Sequence, residues 1–446
     1  MIMSLEDTLY PLLRLYEAAP QPVKTLAGRA YRAIPSSIRQ GAAYERFRRE
    51  AIESEAWDPE TTQRYQVASI RDSLLAAQRT PFYAKRFAEV GVKPESFESL
   101  EQLAAYPMLT KQDIILNRDQ MVSGNASQRL TMTTGGSSGI PVSFFLHKGI
   151  SRPKEQAYLE ATWARVGYHS GDRVAVIRGC VTSSRAQGSI SSFDATRNWL
   201  VLSSYHLTPE RLPEYVAELN RFRPQHLHAY PSAALMLMQM GVKLDFKLTS
   251  LLCGSEMLSV EAQRQLETHF DAPVMHWYGH SERAVLAAQL PGDFELSFWP
   301  GYGYVEFGEP DADGNREIIA TSFHNHVMPL IRYRTGDLCS TQDTVIGRDY
   351  EFLISRTGRR ISLTAMNMHD DLFDGLLAVQ FHQHEPGVVE CHLQPAARWS
   401  HDRESSIRNG LLHKLGDDFS LTLRVVDQIE KTSAGKHRWL VTSLKP

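Results

Sequence analysis

The middle of the chain is a succession of short, fully apolar runs alternating with stretches of helical spacing, and this alternation narrows the possible folds more than any other feature. The runs are Arg173-Val174-Ala175-Val176-Ile177, His226-Leu227-His228-Ala229-Tyr230, Leu248 to Cys253 and Val274 to Tyr278. Helical spacing marks Ala233 to Met240 and Val260 to Phe270 between them. The pattern predicts a layered α/β sheet with helices on its faces. Ligands of such sheets sit beyond the carboxyl ends of the strands, where Gly254-Ser255-Glu256 and Tyr278-Gly279-His280-Ser281-Glu282 fall.

The flanks read differently. From about residue 5 to 90 apolar positions recur at helical spacing, as in Tyr44-Phe47-Ala51 and Val67-Ile70-Leu74-Leu75. This helical lead-in is expected to close at Thr80-Pro81-Phe82-Tyr83, and a short helix to follow Pro107-Met108-Leu109-Thr110-Lys111. Between 302 and 340 the helices stop; Tyr304 to Phe307, Glu317 to Ala320 and Leu330 to Tyr333 predict a small antiparallel β-subdomain, with a turn at Asp313-Gly314. The tail has strand signals at Leu377 to His382, Val388 to Leu393 and Leu421 to Val426, with a helix near Ser405 to Leu415. The expected division is a large α/β domain over 1–355 and a small α+β domain over 356–446.

Composition excludes several classes. The 446 residues are 42% apolar and 22% charged, with net charge −3 and no basic stripe, so the electrostatic footprint of a nucleic-acid binder is missing. Cys180, Cys253, Cys339 and Cys391 form no CxxC pair, which predicts a reduced, cytoplasmic setting. No apolar run approaches the roughly 20 residues of a membrane span. Leu9, Leu12, Leu13 and Leu15 make a short amphipathic stripe whose expected use is core packing.

Four polar clusters carry candidate chemistry. Thr133-Thr134-Gly135-Gly136-Ser137-Ser138-Gly139-Ile140-Pro141 sets hydroxyls among glycines, so its backbone N–H groups can wrap a polyphosphate. It is not the common P-loop, which needs Gly-Lys-Ser/Thr where this chain has Gly139-Ile140-Pro141. Tyr278 to Glu282 gathers a ring, a hydroxyl and a carboxylate on one turn. Tyr333-Arg334-Thr335-Gly336-Asp337 presents a carboxylate able to accept two hydrogen bonds from a diol, and Lys431-Thr432-Ser433-Ala434-Gly435-Lys436 carries a cation on a loop of small residues. Taken singly, each has an ordinary reading as a linker, a surface acid, a turn residue or a tail lysine.

Their order is what is specific. A glycine-hydroxyl loop, Gly-x-Glu, Tyr-Gly-x-Ser-Glu, Tyr-Arg-Thr-Gly-Asp, an arginine cluster and Ser-x-Gly-Lys together resemble the adenylate-forming superfamily of acyl-CoA synthetases and ligases. Within it the chain is most similar to the phenylacetate-CoA ligase-like branch that includes capsular polysaccharide biosynthesis proteins. Branch-like wording includes Ile34-Pro35-Ser36-Ser37-Ile38-Arg39, Thr80-Pro81-Phe82-Tyr83, Met328-Pro329-Leu330-Ile331-Arg332-Tyr333 and Val379-Gln380-Phe381-His382-Gln383.

The resemblance implies ATP-dependent carboxylate activation with Mg2+, followed by acyl transfer to coenzyme A, a carrier thiol, an amine or a hydroxyl. It places Thr133 to Gly139 on the phosphates, Glu282 on magnesium, Ser281 on the α-phosphate, and Tyr278 with Gly279, His280, Gly254, Ser255 and Glu256 around adenine. Asp337 would accept from the ribose diol beside Arg356, with Arg359 as the competing arginine, and Lys436 would be the catalytic lysine on a lobe hinged near Ser355 to Arg360. Tyr230, Pro231, Ser232, His276 and Trp277 would line an acyl pocket suited to an aromatic or polar acid.

Three departures stand out. Ile140 replaces a lysine common in relatives, leaving Lys111 or Lys148 to meet the phosphates; the hinge reads Ser355-Arg356; and the acidic hinge pair is missing. The alternatives to the ligase are a catalytically degenerate nucleotide-binding protein of the same fold and an adenylyltransferase that leaves AMP on its target. A homodimer is compatible with the sequence. The pairs His324/His326 and His382/His384 are expected to share strand faces as candidate metal ligands.

Overall fold

A computed structural model describes residues 15–16, 19–133, 142–179, 190–311, 314–339, 345–346, 352–366, 371–373, 376–395, 400–430 and 439–444. The glycine-loop positions 134–141, the Leu9 to Leu13 stripe, Cys180 and the 431–438 stretch with Lys436 lie outside the described residues.

The lead-in consists of helices Gln21–Ala33, Ser36–Ser54, Pro59–Gln78 and Pro81–Val90. Thr80-Pro81, expected to end the helical run, opens a further helix instead. The Thr80 hydroxyl accepts from the Tyr83 N–H, Pro81 fills the first turn where its missing N–H costs nothing, and Gly91 closes the helix at φ +73°. A hairpin of β1 (Arg129–Thr133) and β2 (Ser143–His147) brackets the glycine loop.

The central sheet contains β3 (Val174–Arg178), β4 (Ser191–Asp194), β5 (Trp199–Ser203), β6 (His226–Ala229), β7 (Ser250–Gly254), β8 (Val274–Gly279), β9 (Leu286–Gln289) and β10 (Leu296–Phe298). Their order is β10-β9-β8-β7-β6-β3-β5-β4, with β5, β3, β6, β7 and β8 parallel. The four expected strands are its centre; their side chains are buried on both faces, as the unbroken apolar runs require. Helices Leu212–Phe222, Pro231–Gln239 and Val260–Phe270 pack on one face over Ala175, Ile177, Leu227 and Leu251. Helices Ser36–Ser54 and Ser151–Ala164 cover Val174, Val176, Leu252 and Trp277 on the other.

The β-subdomain is a four-stranded antiparallel sheet of β11 (Gly303–Pro310), β12 (Arg316–Ser322), β13 (Tyr333–Cys339) and β14 (Val345–Ile346). Its third strand begins at Tyr333 rather than Leu330, because Arg332 takes φ +49° and turns its guanidinium to Glu306 and to the carbonyls of Ala104 and Tyr106. Buried Lys154 joins the subdomain to the helical layer by donating to the carbonyls of Tyr302, at 2.5 Å, and Phe323, at 3.2 Å.

The C-terminal unit opens with the hairpin β15 (Phe352–Ile354) and β16 (Arg360–Ser362). It continues as β17 (Leu376–Glu385), β18 (Val388–Pro395), helix His401–Leu415, β19 (Ser420–Val425) and β20 (Leu440–Thr442), with sheet order β19-β18-β17-β20. Gln383 exchanges two 2.7 Å hydrogen bonds with the backbone of Ile354, and Thr357 donates to Asp418 at 2.9 Å. The Ser355 to Arg360 stretch, expected as the hinge, is the turn between β15 and β16, tied to Gln383 and Asp418. His324 has φ +66° in a turn, so it does not share a strand face with His326. The described residues contain no group of three or more metal-ligating side chains, and no helix long and apolar enough to cross a membrane.

Candidate active site

Two of the sequence clusters, 55 residues apart, meet in one wall. The Tyr278 hydroxyl, at the end of β8, donates to Asp337 Oδ2 at 2.8 Å, and the Tyr333 hydroxyl, at the start of β13, donates to Glu282 Oε1 at 2.7 Å. The fold builds this wall through close backbone approaches. A Cβ on Gly303 would fall 1.8 Å from the Ala284 carbonyl oxygen, so β11 can run against the Glu282 turn only with glycine there. Arg283 takes φ +53° to reverse the chain into β9.

Glu282 is 6% exposed, and burial alone would push its carboxyl up. The opposing effects win: His280 Nδ1 lies 2.9 Å from Glu282 Oε2, the Lys111 charge is near, and Tyr333 donates, so the carboxyl is held well below the usual carboxylate range. The same pairing raises His280 despite its own burial. An ionised hard oxygen donor is therefore pre-formed at Glu282, and this is the form that binds magnesium beside substrate phosphates. His280 Nε2 is buried without a hydrogen-bond partner among the described residues, which leaves one polar atom of the wall for a ligand.

Lys111 reaches this wall by a route the sequence only hinted at. Leu109 exchanges backbone hydrogen bonds with Arg332 and Arg334, and the Thr110–Asp113 capping box then starts the Lys111–Asn117 helix beside Tyr333. Its charge acts on both His280 and Glu282, whereas the phosphate role named Lys148 as an equal candidate. Thr133, the one described member of the glycine loop, ends β1, whose hairpin packs in the same apolar cluster as Tyr278 and Tyr333.

On the far side of β8 lie Gly254, Ser255 and Glu256. A Cβ on Gly254 would come 2.4 Å from the Trp277 ring, so this ring lies flat over the end of β7. Ser255 is exposed and takes φ +70°, a costly conformation for a residue with a Cβ and one often found at binding sites. Glu256 Oε2 accepts from the Ser232 N–H at 2.9 Å, and the His276 ring lies 3.0 Å from the Glu256 carbonyl. Burial pushes His276 down to about 4, so it is a neutral ring at pH 7.

The expected acyl lining divides here. Strand alternation sends Trp277 into the layer of Trp163 and His228, while His276 points to the opposite face with Glu256 and Ser232. Tyr230 is buried in the cluster on that opposite face, with the Arg178 guanidinium 5.3 Å from its ring centroid. Arg178 was not anticipated.

Of the two candidate ribose arginines, Arg359 is engaged elsewhere. It is 8% exposed and donates to the carbonyls of Tyr205 and Leu415 and to Asp418 Oδ1, clamping the small unit to the large domain. Arg356 is exposed on the hairpin turn, with its backbone N–H on the Asp418 carbonyl. Ser281 is half-buried on the Glu282 turn.

Residues 353–443 match the family model of the CapK C-terminal domain. Protein CapK of Staphylococcus aureus is 24% identical over 76% of this chain and 80% of its own length. Phenylacetate-coenzyme A ligase of Pseudomonas putida is 27% identical over 61% of this chain and 65% of that enzyme, just under two thirds of its length. In sequence the chain is similar to CapK and to the phenylacetate-CoA ligases of the adenylate-forming superfamily.

The superfamily fold extends over nearly the whole chain. A crystal structure of 2-hydroxyisobutyryl-CoA ligase in complex with 2-HIB-AMP and CoA, in the thioesterification state, aligns with 88% of this chain and 91% of its own at a TM-score of 0.53. At 16% identity this likeness is one of fold. The large α/β domain and small C-terminal domain of such ligases are both present. In this chain the Glu282 turn and the Asp337 strand share one wall, with the glycine-loop hairpin in the same apolar cluster.

Proposed function

We propose that this protein activates a small carboxylic acid with ATP, forming an acyl-adenylate and pyrophosphate, and then passes the acyl group to a thiol, amine or hydroxyl acceptor. The observation that carries the reading is the pair of hydrogen bonds Tyr278–Asp337 and Tyr333–Glu282. They bring a diol-accepting carboxylate and an ionised metal-binding carboxylate to one place, which ATP recognition requires.

In the first step a substrate carboxylate oxygen attacks the α-phosphorus and pyrophosphate leaves. In the second the acceptor nucleophile attacks the acyl carbon and AMP leaves. Asp337 would accept from the ribose hydroxyls, Tyr278 would pack on adenine, and Ser281 would donate to the α-phosphate. Glu282 would hold magnesium, which would supply charge neutralisation on the phosphate side. Lys111 adds a second cation on the phosphate side, the role that Ile140 cannot fill. Lys436 would place a point charge where negative charge grows in the transition state. Coenzyme A is one of the acceptors in this reading.

Pyrophosphate release measured across a panel of carboxylic acids tests the proposal. Release should depend on an added acid, and Lys436→Ala should lower it by roughly 100-fold or more, the scale of one lost transition-state contact. Equal turnover in mutant and wild type would remove Lys436 from the mechanism. Absence of acid-dependent release would remove the activity.

A further inference from the structure

The central sheet reverses its winding between β3 and β6. From β3 the chain moves through the edge strand β4 to β5 on one side, and from β6 it moves to β7 and β8 on the other, so β3 and β6 are neighbours whose onward connections diverge. A crevice opens at such a point beyond the carboxyl ends of the strands. Arg178 is the last residue of β3, and Tyr230 directly follows β6.

The groups around this crevice are polar and incompletely paired. Arg178 Nε is buried with no hydrogen-bond partner among the described residues. His228 is 4% exposed, and neither of its ring nitrogens has a partner there. It is ringed by Trp163, Trp277 and Trp199 at 5.1, 5.5 and 6.1 Å. Burial first, and the Arg178 and Arg197 charges second, hold it far below its ordinary pKa, so it is a neutral imidazole. The Cys253 thiol, at the end of β7, feels both Arg178 and Glu256. A buried donor without an acceptor is costly, and two neighbouring ones at a ligand crevice point to a ligand that supplies acceptors.

We propose that Arg178 binds a second anionic, oxygen-bearing group of the acyl substrate, with His228 as a neutral co-donor. The substrate is then an acid carrying a further carboxylate or phosphate, not an aromatic or fatty monoacid. Assigning the crevice to the acyl group rests on the adenylation reading. The presence of an anion subsite does not.

The test uses length-matched acids on the full chain. Glutarate and 4-phosphonobutanoate are titrated calorimetrically against pentanoate, into wild type, Arg178→Met and Arg178→Lys. Wild type should bind at least one of the two dianionic acids about 10-fold or more tighter than pentanoate, the effect of one charge-assisted hydrogen bond. Arg178→Met should bring that ratio close to one, and Arg178→Lys should keep part of it. Which dianion wins identifies the group. Equal binding of all three acids, no binding of any, or an unchanged ratio in Arg178→Met overturns the proposal. Retention of the binding preference with no acid-dependent pyrophosphate release would leave the anion subsite standing and remove the adenylation reading.

Discussion

Tyr333→Phe isolates the hydrogen bond that ties the Glu282 turn to the β-subdomain. The substitution keeps the buried ring and its packing, and deletes only the hydroxyl that donates to Glu282 Oε1 at 2.7 Å. The acceptor is a buried carboxylate that keeps His280 on its other oxygen, so it stays ionised but loses one donor. A hydrogen bond to a charged group contributes about 1.5–3 kcal/mol, which sets the expected loss of unfolding free energy at pH 7. The pH dependence has a definite sign. Glu282 has a depressed folded pKa, so its stabilising contribution is complete above its unfolded value near about 4.3 and is lost as pH falls toward the folded one. The penalty of Tyr333→Phe should therefore shrink below about pH 4. Urea unfolding of wild type, Tyr333→Phe, Glu282→Gln and the double variant gives the interaction directly as a cycle. A Tyr333→Phe cost that is the same in the Glu282→Gln background would refute the reasoning, since nothing would then link the two side chains.

Two further substitutions probe the same wall. His280→Asn removes the largest favourable partner of the Glu282 charge, so the acid limb of the pH–rate profile should move to higher pH; a limb in its wild-type place would show that His280 does not set it. Gly254→Ala would drive a methyl to within 2.4 Å of the Trp277 ring and should cost about 1–3 kcal/mol by overpacking, measured by thermal or urea unfolding. A neutral outcome there would mean that the ring moves aside freely.

Regular elements with strong periodicity were legible. Val260 to Phe270 is a helix over the residues its spacing indicated, and the four buried strands form the centre of the sheet. What escaped was set by tertiary geometry. The β4–β5 hairpin was overlooked although Trp199 to Leu202 is an apolar run after Asn198, which turns at φ +65°. Thr80-Pro81 was taken for a stop when the same residues are a helix start, because a hydroxyl before proline is also a cap. Ser355 to Arg360, expected as a hinge by likeness of wording, forms a turn whose partners Asp418 and Gln383 lie far along the chain.

The candidate site divides in the same way. The Glu282 carboxylate could be picked out because it follows a strand at a small-residue turn, and Asp337 because it follows Gly336, which takes φ +78° where the pairing of β13 shifts register. That tyrosines from the two motifs would cross over to hydrogen-bond them could not, since the partner of each hydroxyl lies more than 50 positions away in the chain. Arg178 directly follows the apolar run Val174 to Ile177 and ends β3. A signal did exist, because a charged residue ending the central strand of a parallel sheet lies at the ligand edge. His276 and Trp277 were grouped by adjacency, although neighbours in a strand face opposite ways.

The central claim is that the Glu282 turn and Asp337 on β13 close on one nucleotide, and ATP affinity measured calorimetrically with Mg2+ present tests it most directly. Asp337→Asn and Glu282→Gln should each weaken ATP about 10-fold or more, with one site per chain in wild type, as expected for the loss of a charge-assisted contact. Wild-type affinity in either variant would contradict the account, because that position would then face something other than the nucleotide.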